Sequence, residues 1–405
     1  MRFNLQLALR NLRRNLRRTL LSLAIIALGT AMSFAVRGYV ENALFNIRNG
    51  TVEQYGHFQI AAASLFDDEA EGYDYLIQPD VLATVQGILA QHPEVVAETA
   101  QLNFSALASF GRKTKVLRVT ATEPSNRALD YNDLVVKGGG LQKQDRNKAL
   151  VGNSLATAQH LEPGKAFRVN LSTVDGAFNV GTLEVAGIFS LNSAAFEGSL
   201  AFVPIGYAQA LLNTTGVGKV IVKLDRLEYA KPVAAAVRQE LRAAGLDLDV
   251  RTWEQLSQFY RQIKGFFNAL FFFLTLSISV LVFFIVLQVL TMAFLERTRE
   301  VGTIRALGTK RRQVFSLFLT EGVLLGVLGG GAGVALGWLI STAFNAMGVS
   351  WTPPGAIDPV TVRIVASPNV ALIPFSISAL ATLFSALYPA VHSARVSIVD
   401  ALRAT

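Results

Sequence analysis

One short stretch of the chain carries residue types that bind phosphate: Gly302, Gly308, Thr309 and Lys310. In nucleotide-binding loops, the backbone amides of a glycine-rich turn and one lysine surround the phosphates, in the motif G-x-x-x-x-G-K-[ST]. Started at Gly302, that motif requires glycine at position 307 and lysine at position 308, where the chain has Leu307 and Gly308. No other segment fits the motif, so we expect this chain to bind no ATP by this route and no cofactor of its own.

The histidines and carboxylates form no pattern typical of a catalytic or metal site. The four histidines lie far apart along the chain: His57, His92, His160 and His392. The acidic cluster at residues 67–71 lacks the alternating spacing and the turn glycine of a calcium loop, which favours a solvated loop. Cysteine is absent, which excludes disulfides and thiolate chemistry. We therefore predict that the chain is not an enzyme.

The composition instead indicates a membrane protein, because 51% of the residues are hydrophobic and only 16% are charged. A helix needs about 20 apolar residues to cross a bilayer. Four segments meet this requirement and are predicted to be transmembrane helices: residues 19–37, 265–295, 313–344 and 364–391. The first also follows a basic N-terminus, as a signal peptide does. Its apolar run is long and no A-x-A site follows it, so we predict a retained anchor.

The basic residues predict the orientation of these helices. Fourteen of them, against three acidic residues, lie in the segments expected in the cytoplasm: residues 1–18, 296–312 and 392–405. The loop at residues 345–363 has only Arg363, and residues 38–264 carry 21 basic and 24 acidic side chains. Both are therefore expected outside. The net charge of +8 reflects this topology and contact with lipid headgroups rather than nucleic-acid binding.

The outer block reads as a mixture of helices and strands. Alternating or β-branched runs predict strands at residues 57–62, 115–122, 166–172, 182–189, 200–204, 219–224 and 246–252. Apolar periodicity predicts helices from Pro79 and over Pro232–Ala244, and Asp175-Gly176 predicts a hairpin turn. Three glycines at 138–140 are typical of a linker. The predicted fold class is an α-helical membrane protein with four transmembrane helices and a large extracytoplasmic α+β domain inserted between the first two.

The cytoplasmic loop at residues 296–312 is predicted to form a short amphipathic helix. Val301, Ile304 and Leu307 recur at helical spacing with charges between them, and Gly308 is placed to end the helix. Two alternatives are open at this point. The helix lies on lipid headgroups, or it docks a cytoplasmic partner.

The third predicted span contains two ladders of small residues: Gly322, Gly326 and Gly330, and Gly329, Gly333 and Gly337. Such spacing allows helices to approach closely in lipid. We expect these ladders to form a contact between subunits, and packing within one chain is the alternative. Glu321 is a carboxylate inside the same span, which predicts either a structural hydrogen bond or a proton relay.

The stretch ERTREVGTIRALGTKRRQVF (residues 296–315), followed by a glycine-rich helix that opens with Glu321 and Gly322, resembles the signature of the FtsX-like permeases. This family includes the permeases of lipoprotein-releasing (Lol-type) and macrolide-exporting (MacB-type) ABC transporters, and the likeness is closest to Lol-type subunits. Further parts agree along the whole chain: LALRNLRRNLRRTL at residues 7–20, GHFQI at 56–60, TWE at 252–254, WTPPG at 351–355 and the closing residues 389–403.

The resemblance implies a permease subunit that pairs with a second permease, identical or paralogous, and with two copies of a separate ABC ATPase that binds ATP and Mg²⁺. In this family the ATPase docks on a cytoplasmic coupling helix. By position, that helix would here comprise Glu296, Arg297, Glu300, Val301, Gly302, Arg305, Leu307 and Gly308. The resemblance also implies an inner-membrane location, with both termini cytoplasmic and the large domain periplasmic.

Within this family, ATP-driven movement of the membrane helices is transmitted to the outer domain, so the substrate need not cross the bilayer. The implied substrate is a lipoprotein or another amphiphile. The outer domain would have two lobes, one from about residues 50–118 and 218–262 and one inserted at 119–217.

The sequence also departs from the Lol-type pattern. The hairpin at Asp175-Gly176 is short, whereas permeases that bind a periplasmic carrier use a long one, so recruitment of a carrier or adaptor stays open. We expect neither the MacB subtype in the strict sense, since this sequence contains no fused ATPase, nor the small cell-division members, since the outer block is large. A signal-transmitting protein that activates an outer partner such as a cell-wall hydrolase, and a membrane-anchored binding protein without an ATPase, are the alternatives.

Overall fold

The computed structural model describes residues 2–14, 16–67, 72–124, 126–191, 193–352, 357 and 359–395. The chain divides into two compact units. One unit comprises residues 1–46, 262–351 and 361–405, and the other comprises residues 47–261 and 352–360. Most of the acidic cluster at 67–71, most of the WTPPG segment and the residues after 395 lie outside the described residues.

The helices are numbered in chain order. They are α1 (Arg2–Arg14), α2 (Leu16–Tyr55), α3 (Ala63–Phe66), α4 (Pro79–Leu89), α5 (Asn153–Gln159), α6 (Ala194–Glu197), α7 (Ile205–Leu212), α8 (Ala230–Ala243), α9 (Trp253–Leu256), α10 (Gln258–Glu296), α11 (Thr298–Ala306), α12 (Arg311–Ala346) and α13 (Pro368–Arg395). Two short 3₁₀ turns lie at Tyr131–Leu134 and Leu227–Tyr229.

The strands are numbered in the same way. They are β1 (Phe58–Ala61), β2 (Val95–Phe110), β3 (Lys113–Thr122), β4 (Val135–Gly138), β5 (Lys148–Gly152), β6 (Ala166–Ser172), β7 (Phe178–Phe189), β8 (Leu200–Pro204), β9 (Lys219–Leu224), β10 (Asp249–Thr252), β11 (Ser350–Trp351) and β12 (Val360–Thr361).

Four of the described helices, α2, α10, α12 and α13, are long and apolar enough to cross a membrane. This confirms the predicted fold class, since the large α/β domain lies between the first and second of them. The first two are 40 and 39 residues long, well beyond the 19 and 31 residues of the predicted spans, and so extend past any hydrocarbon core. The fourth begins at Pro368, four residues later than predicted, because proline has no amide hydrogen and suits the first helical position.

One part of the outer unit is an antiparallel sheet with the strand order β10-β1-β9-β2. Helix α4 connects β1 to β2, and α8 connects β9 to β10, so two strand–helix–strand units interleave as in ferredoxin-like folds. Both helices bury an apolar face: Val85 and Leu89 on α4, and Val233, Val237 and Leu241 on α8. The predicted unit of strand 219–224, helix and strand 246–252 is half of this sheet.

The other part is a closed ring of six strands. β2 pairs with β3, β3 with β8, β8 with β5, β5 with β7, β7 with β6, and β6 returns to β2. Each strand contributes to one buried core: Phe104, Leu117, Val151, Val169, Val185 and Val203. A closed barrel exposes no strand edge, which protects it from pairing with other chains.

Strand β2 belongs to both parts. Its residues 95–101 pair with β9, and its residues 101–110 pair with β3. The boundary between the two expected lobes therefore lies near Gln101, inside a strand, and the expected boundary near residue 118 is wrong. The glycine segment 138–140 is not a free linker either, because Gly138 ends β4 and the amide of Gly139 donates to the carbonyl of Ala186.

The buried imidazole of His57 gives the outer unit a pH-dependent stability. His57 accepts the amide hydrogen of Leu224 at Nδ1, 3.1 Å away, and burial lowers its pKa below the ordinary value, assisted by the charge of Lys223. Below about pH 6.5 the unfolded chain therefore binds a proton that the folded chain does not.

We predict that the unfolding temperature falls between pH 7.5 and pH 5.5, and falls less in His57→Gln. The difference corresponds to at most about 1.4 kcal/mol per pH unit. Scanning fluorimetry of both purified proteins at the two pH values measures it. Equal falls in the two proteins would contradict this origin of the pH dependence.

Candidate functional site

The segment between α10 and α12 consists of the short helix α11 and the turns that flank it. Helix α10 ends at Glu296, Arg297 leaves helical geometry, and α11 begins at Thr298. Gly308 has φ +105°, a conformation that glycine adopts without strain, and it ends the helical path. The amide of Lys310 then donates to Gln313 Oε1 at 2.9 Å, which caps the first turn of α12. The predicted short helix is therefore present.

Val301 anchors α11 to the helix bundle. Its side chain is only 9% exposed and packs in a cluster with Phe294 of α10, Val314 and Phe318 of α12 and Ala390 of α13. Gly302 beside it is also buried. These contacts fix which side of α11 faces the bundle.

The other two residues of the predicted apolar face point elsewhere. Leu307 is 84% exposed and Ile304 is 45% exposed. The residues at 301, 304 and 307 therefore do not share one buried stripe, because Val301 faces the bundle while the two C-terminal residues form an exposed apolar end. Arg305 lies in the last turn, where a cation interacts favourably with the helix dipole.

Two ion pairs connect this segment to the N-terminal helices. Arg14 of α1 contacts Glu300 at 2.5 Å, and Arg18 of α2 binds both carboxylate oxygens of Glu296, at 2.5 and 2.7 Å. Each exposed pair such as these contributes only about 0–1 kcal/mol to the free energy of unfolding. The bidentate contact of Arg18 with Glu296, however, restricts the orientation of the two side chains. They orient α11 rather than stabilise the fold.

A buried network lies beneath these surface pairs. The Glu321 carboxylate accepts from Asn11 Nδ2 at 2.6 Å and from a terminal nitrogen of Arg297 at 3.2 Å. The other terminal nitrogen of Arg297 donates to the main-chain oxygen of Asn11, also at 3.2 Å. The side chains of Glu321 and Arg297 are only 4% and 11% exposed. The carboxylate predicted inside the third span thus joins α1, the residue before α11, and α12.

The glycine ladders of α12 pack against two different helices of the same chain. A methyl group added at Gly326 or Gly330 would meet Ala379 or Phe375 of α13, and Gly322 faces Ala386. On the other side, Gly329 faces Ile26, and a methyl group at Gly337 would lie 2.9 Å from Phe34 of α2. The expected contact between subunits through these residues is therefore wrong, because helices of the same chain already occupy both ladders.

Sequence reasoning missed the contribution of α1. The N-terminal arginines predict only the topology, yet Arg14 of α1 and Arg18 of α2 contact predicted site residues, and Asn11 of α1 reaches Glu321. The signal available in the sequence was complementary charge, since Glu296 and Glu300 are the only acidic residues in a strongly basic loop. Among the described residues, no group of three or more His, Asp or Glu side chains could hold a metal ion.

Two family models match the chain. One is the MacB-like periplasmic core domain, over residues 19–240, and the other is the FtsX-like permease C-terminal region, over residues 271–398. The two matches fall on the outer domain with the helix before it and on the three later membrane helices.

Curated relatives agree with these models. The macrolide export ATP-binding/permease protein MacB of Escherichia coli is 23% identical over 365 residues, which cover 85% of this chain and 53% of that protein. The protein of the same name from Chromobacterium violaceum is 31% identical over 117 residues, which cover 29% of this chain and 16% of that protein. The chain thus spans about half the length, or less, of these relatives. The closer likeness to Lol-type subunits stays a prediction.

Two solved structures of outer domains align with part of the chain. The periplasmic region of MacB from Actinobacillus actinomycetemcomitans aligns with a TM-score of 0.38 and 13% identity, covering 51% of this chain and 94% of that chain. The extracellular domain of the noncanonic ABC-type transporter YknZ from Gram-positive bacteria aligns with a TM-score of 0.34 and 14% identity, covering 48% of this chain and 99% of that chain.

The buried network predicts a strong coupling between Arg297 and Glu321. Glu321→Leu leaves the Arg297 cation buried without its partner, which costs about 3–5 kcal/mol for a buried pair. We expect a large fall in unfolding temperature in detergent. The double variant Arg297→Leu with Glu321→Leu should recover part of it, because neither charge is then left alone. Additive losses in the double variant would show that the pair is not coupled.

The glycine contacts predict a difference between two neighbouring positions of α12. In Gly333→Ala the added methyl group would lie 2.7 Å from the Ala27 carbonyl oxygen and 2.5 Å from Thr30 Cβ, whereas at Gly331 nothing lies within 4 Å. Overpacking should destabilise Gly333→Ala by about 1–3 kcal/mol, and Gly331→Ala should be neutral or stabilising because alanine favours helix. Thermal unfolding in detergent compares the two, and equal behaviour would contradict the close approach of α2 and α12.

Proposed function

Because the chain belongs to the family of FtsX-like permeases with a MacB-like periplasmic core domain, we propose that it is the permease subunit of an ABC transporter whose ATP hydrolysis is carried out by a separate subunit. Two copies of that ATPase, holding ATP and Mg²⁺, would act on a pair of permease subunits, either identical or paralogous. The protein would lie in the inner membrane, with its termini cytoplasmic and its outer domain periplasmic.

The observation that carries this proposal is the exposed apolar end of α11. Leu307 is 84% exposed although α11 itself is held by Val301, by two ion pairs and by the network below. An exposed apolar side chain on a helix that buried contacts hold in place suits a protein–protein contact, because association removes its apolar surface from water. The docked ATPase would move α11, and α11 would move the bundle through Val301 and Arg297.

Movement would reach the outer domain along two uninterrupted helices. Helix α2 ends at Tyr55, three residues before β1, and α10 begins at Gln258, with only Ser257 between it and α9. Since a helix of about 40 residues is about 60 Å long, each can carry a displacement from the membrane to the domain it adjoins. We propose that ATP hydrolysis drives the outer domain mechanically in this way.

An apolar cavity favours an amphiphilic substrate. It has a volume of about 610 Å³ and lies among α2, α12 and α13 in the membrane unit. Phe34, Trp338, Leu372 and Phe375 line it. A cavity of this size and lining suits an acyl chain or another lipid-like group, so we propose that the substrate is a lipoprotein or a comparable amphiphile that is extracted or exported.

An apolar row on the outer barrel favours a protein partner outside the membrane. Val116 on β3 lies opposite Leu107 on β2, and Asn170 on β6 lies between Leu107 and Val180 on β7. The three apolar members are 42–59% exposed, and Phe178 nearby is 75% exposed. Exposed apolar residues that cluster on one surface are typical of a binding site, and here the half-buried Asn170 separates Leu107 from Val180. A periplasmic carrier or adaptor is the partner that we propose for this row.

Copurification tests the docking of the ATPase. The native chain, Leu307→Glu and the control Phe178→Glu are each isolated in mild detergent from the native host and analysed by mass spectrometry. A P-loop ATPase should accompany the native chain and Phe178→Glu, and should be lost from Leu307→Glu because the new charge would be buried at the contact. Retention of the ATPase by Leu307→Glu, or its absence from the native sample, would refute docking at α11.

A further inference from the structure

A second cavity, of about 710 Å³, lies in the outer unit and is basic. It is bounded by α8, the end of β10, α9 and the first turn of α10. Four cationic side chains line it, against one carboxylate: Lys231, Arg238, Arg251 and Arg261, and Glu254. The cavity and helix α11 lie in different units of the chain.

Helix α8 forms one wall through a face adjacent to its buried one, and the buried Ala234 lies at the border of the two. Lys231, Ala235 and Arg238 follow each other at intervals of four and three residues and so share a side of the helix. Val233 and Val237, by contrast, are buried in the core. Alanine at position 235 leaves room between the two cations, and this room is part of the cavity.

Arg238 and Arg251 are held in place by residues outside the cavity lining. Asp249 contacts Arg238 Nε at 3.1 Å and Arg251 Nε at 3.0 Å, and Asp67 contacts a terminal nitrogen of Arg251 at 2.8 Å. The Arg251 guanidinium also lies 4.9 Å from the centre of the Phe66 ring. Asp249, Asp67 and Phe66 are not part of the cavity lining. They orient guanidinium groups whose positive charge faces the cavity.

The outer rim is completed by Arg261 and Lys231. A terminal nitrogen of Arg261 donates to the main-chain oxygen of Glu254 at 2.9 Å and to that of Gln255. The carboxylate of Glu254 pairs with Lys231 Nζ at 2.8 Å. With Asp249 and Asp67 counted, three carboxylates pair with the four cations, which leaves one net positive charge at the site.

We propose that this cavity binds the phosphate group of an anionic headgroup. Guanidinium groups with fixed orientation match the geometry of phosphate oxygens, and several of them together favour a phosphate monoester or diester over a single carboxylate. The volume exceeds what a phosphate ion needs and falls in the range of small-molecule sites, so the ligand carries further groups beyond the phosphate. Arg261 and the apolar run that begins at Gly265 are four residues apart in the sequence, so a lipid headgroup is one source of such a phosphate and a soluble ester is the other.

Binding to the full chain in a neutral detergent tests the site. The probes are dihexanoyl-phosphatidylglycerol, dihexanoyl-phosphatidylcholine and glycerol 1-phosphate, measured by isothermal titration. We expect the phosphatidylglycerol to bind and the zwitterionic lipid to bind at least about tenfold more weakly. Arg261→Gln removes one charge-assisted bond and should weaken phosphatidylglycerol binding about tenfold or more. Arg146→Gln, an exposed cation elsewhere in the outer unit, should change nothing.

A second pair of variants distinguishes the effect of a negative charge in the cavity from the effect of a smaller cavity volume. Ala235→Gln and Ala235→Glu fill the cavity equally and differ only in charge. Ala235→Glu should weaken phosphatidylglycerol binding further than Ala235→Gln does, with unchanged unfolding temperatures as the check on folding.

The two sources of phosphate give different supporting results. Competition by glycerol 1-phosphate at similar concentration indicates a soluble phosphate ester, and binding of the lipid alone indicates a membrane headgroup. Equal affinity of the native chain, Arg261→Gln and Ala235→Glu for phosphatidylglycerol would overturn the proposal. So would equal binding of both lipids. Both results stand independently of whether an ATPase copurifies with the chain.

Discussion

The carboxylate of Glu321 is the group on which the arrangement of the α11 segment depends. A carboxylate inside an apolar bundle is costly unless it is paired and hydrogen-bonded. Here one pairing partner, Arg297, is the residue at which α10 ends and α11 begins, and the other, Asn11, lies on the N-terminal helix. The need to satisfy one buried charge therefore fixes three chain segments relative to one another. Val301 and this network hold one side of α11 against the bundle, and Leu307 lies on the exposed side.

The close approach of the membrane helices is the second constraint. It is possible because glycine, which has no side chain, lies at the points where the helices meet. Helix α12 presents one glycine ladder to α13 and another to α2. Lipid supplies no hydrophobic drive for helices to associate, so close backbone contact and dispersion forces replace it. The same glycines bring α12 near Ser378 and Thr30, whose hydroxyls hydrogen-bond each other at 2.7 Å between α13 and α2. Close packing and this hydrogen bond thus hold α2, α12 and α13 together, and the α11 segment is continuous with α12.

The outer domain shows which strands the local sequence pattern predicts and which it misses. Six of the ten strands of its large sheet lie within three residues of the ends predicted for them, because valine, isoleucine and threonine in alternation favour a pleated, half-buried strand. Strand β2 was missed although it is the longest, at 16 residues. Its buried positions in the barrel include Ala106 and Ala108, its exposed ones include Asn103 and Ser105, and these residues have weak strand preference. Its role in both parts of the domain follows from strand pairing, which local sequence does not record.

The sequence by itself determined the four spans, the place of the outer domain between the first two, the short helix after the second, and the likeness to FtsX-like permeases. These depend on local quantities: apolar length, charge between spans, and contiguous motifs. Only the tertiary structure decided that Val301 is buried while Leu307 is exposed, that α1 joins the site, and that the glycine ladders pack within the chain. The physical reason is separation along the chain, since Asn11 and Glu321 are 310 residues apart and Arg14 and Glu300 are 286 apart. Contacts over such distances come from folding of the whole bundle, and no local pattern encodes the partner of a buried charge.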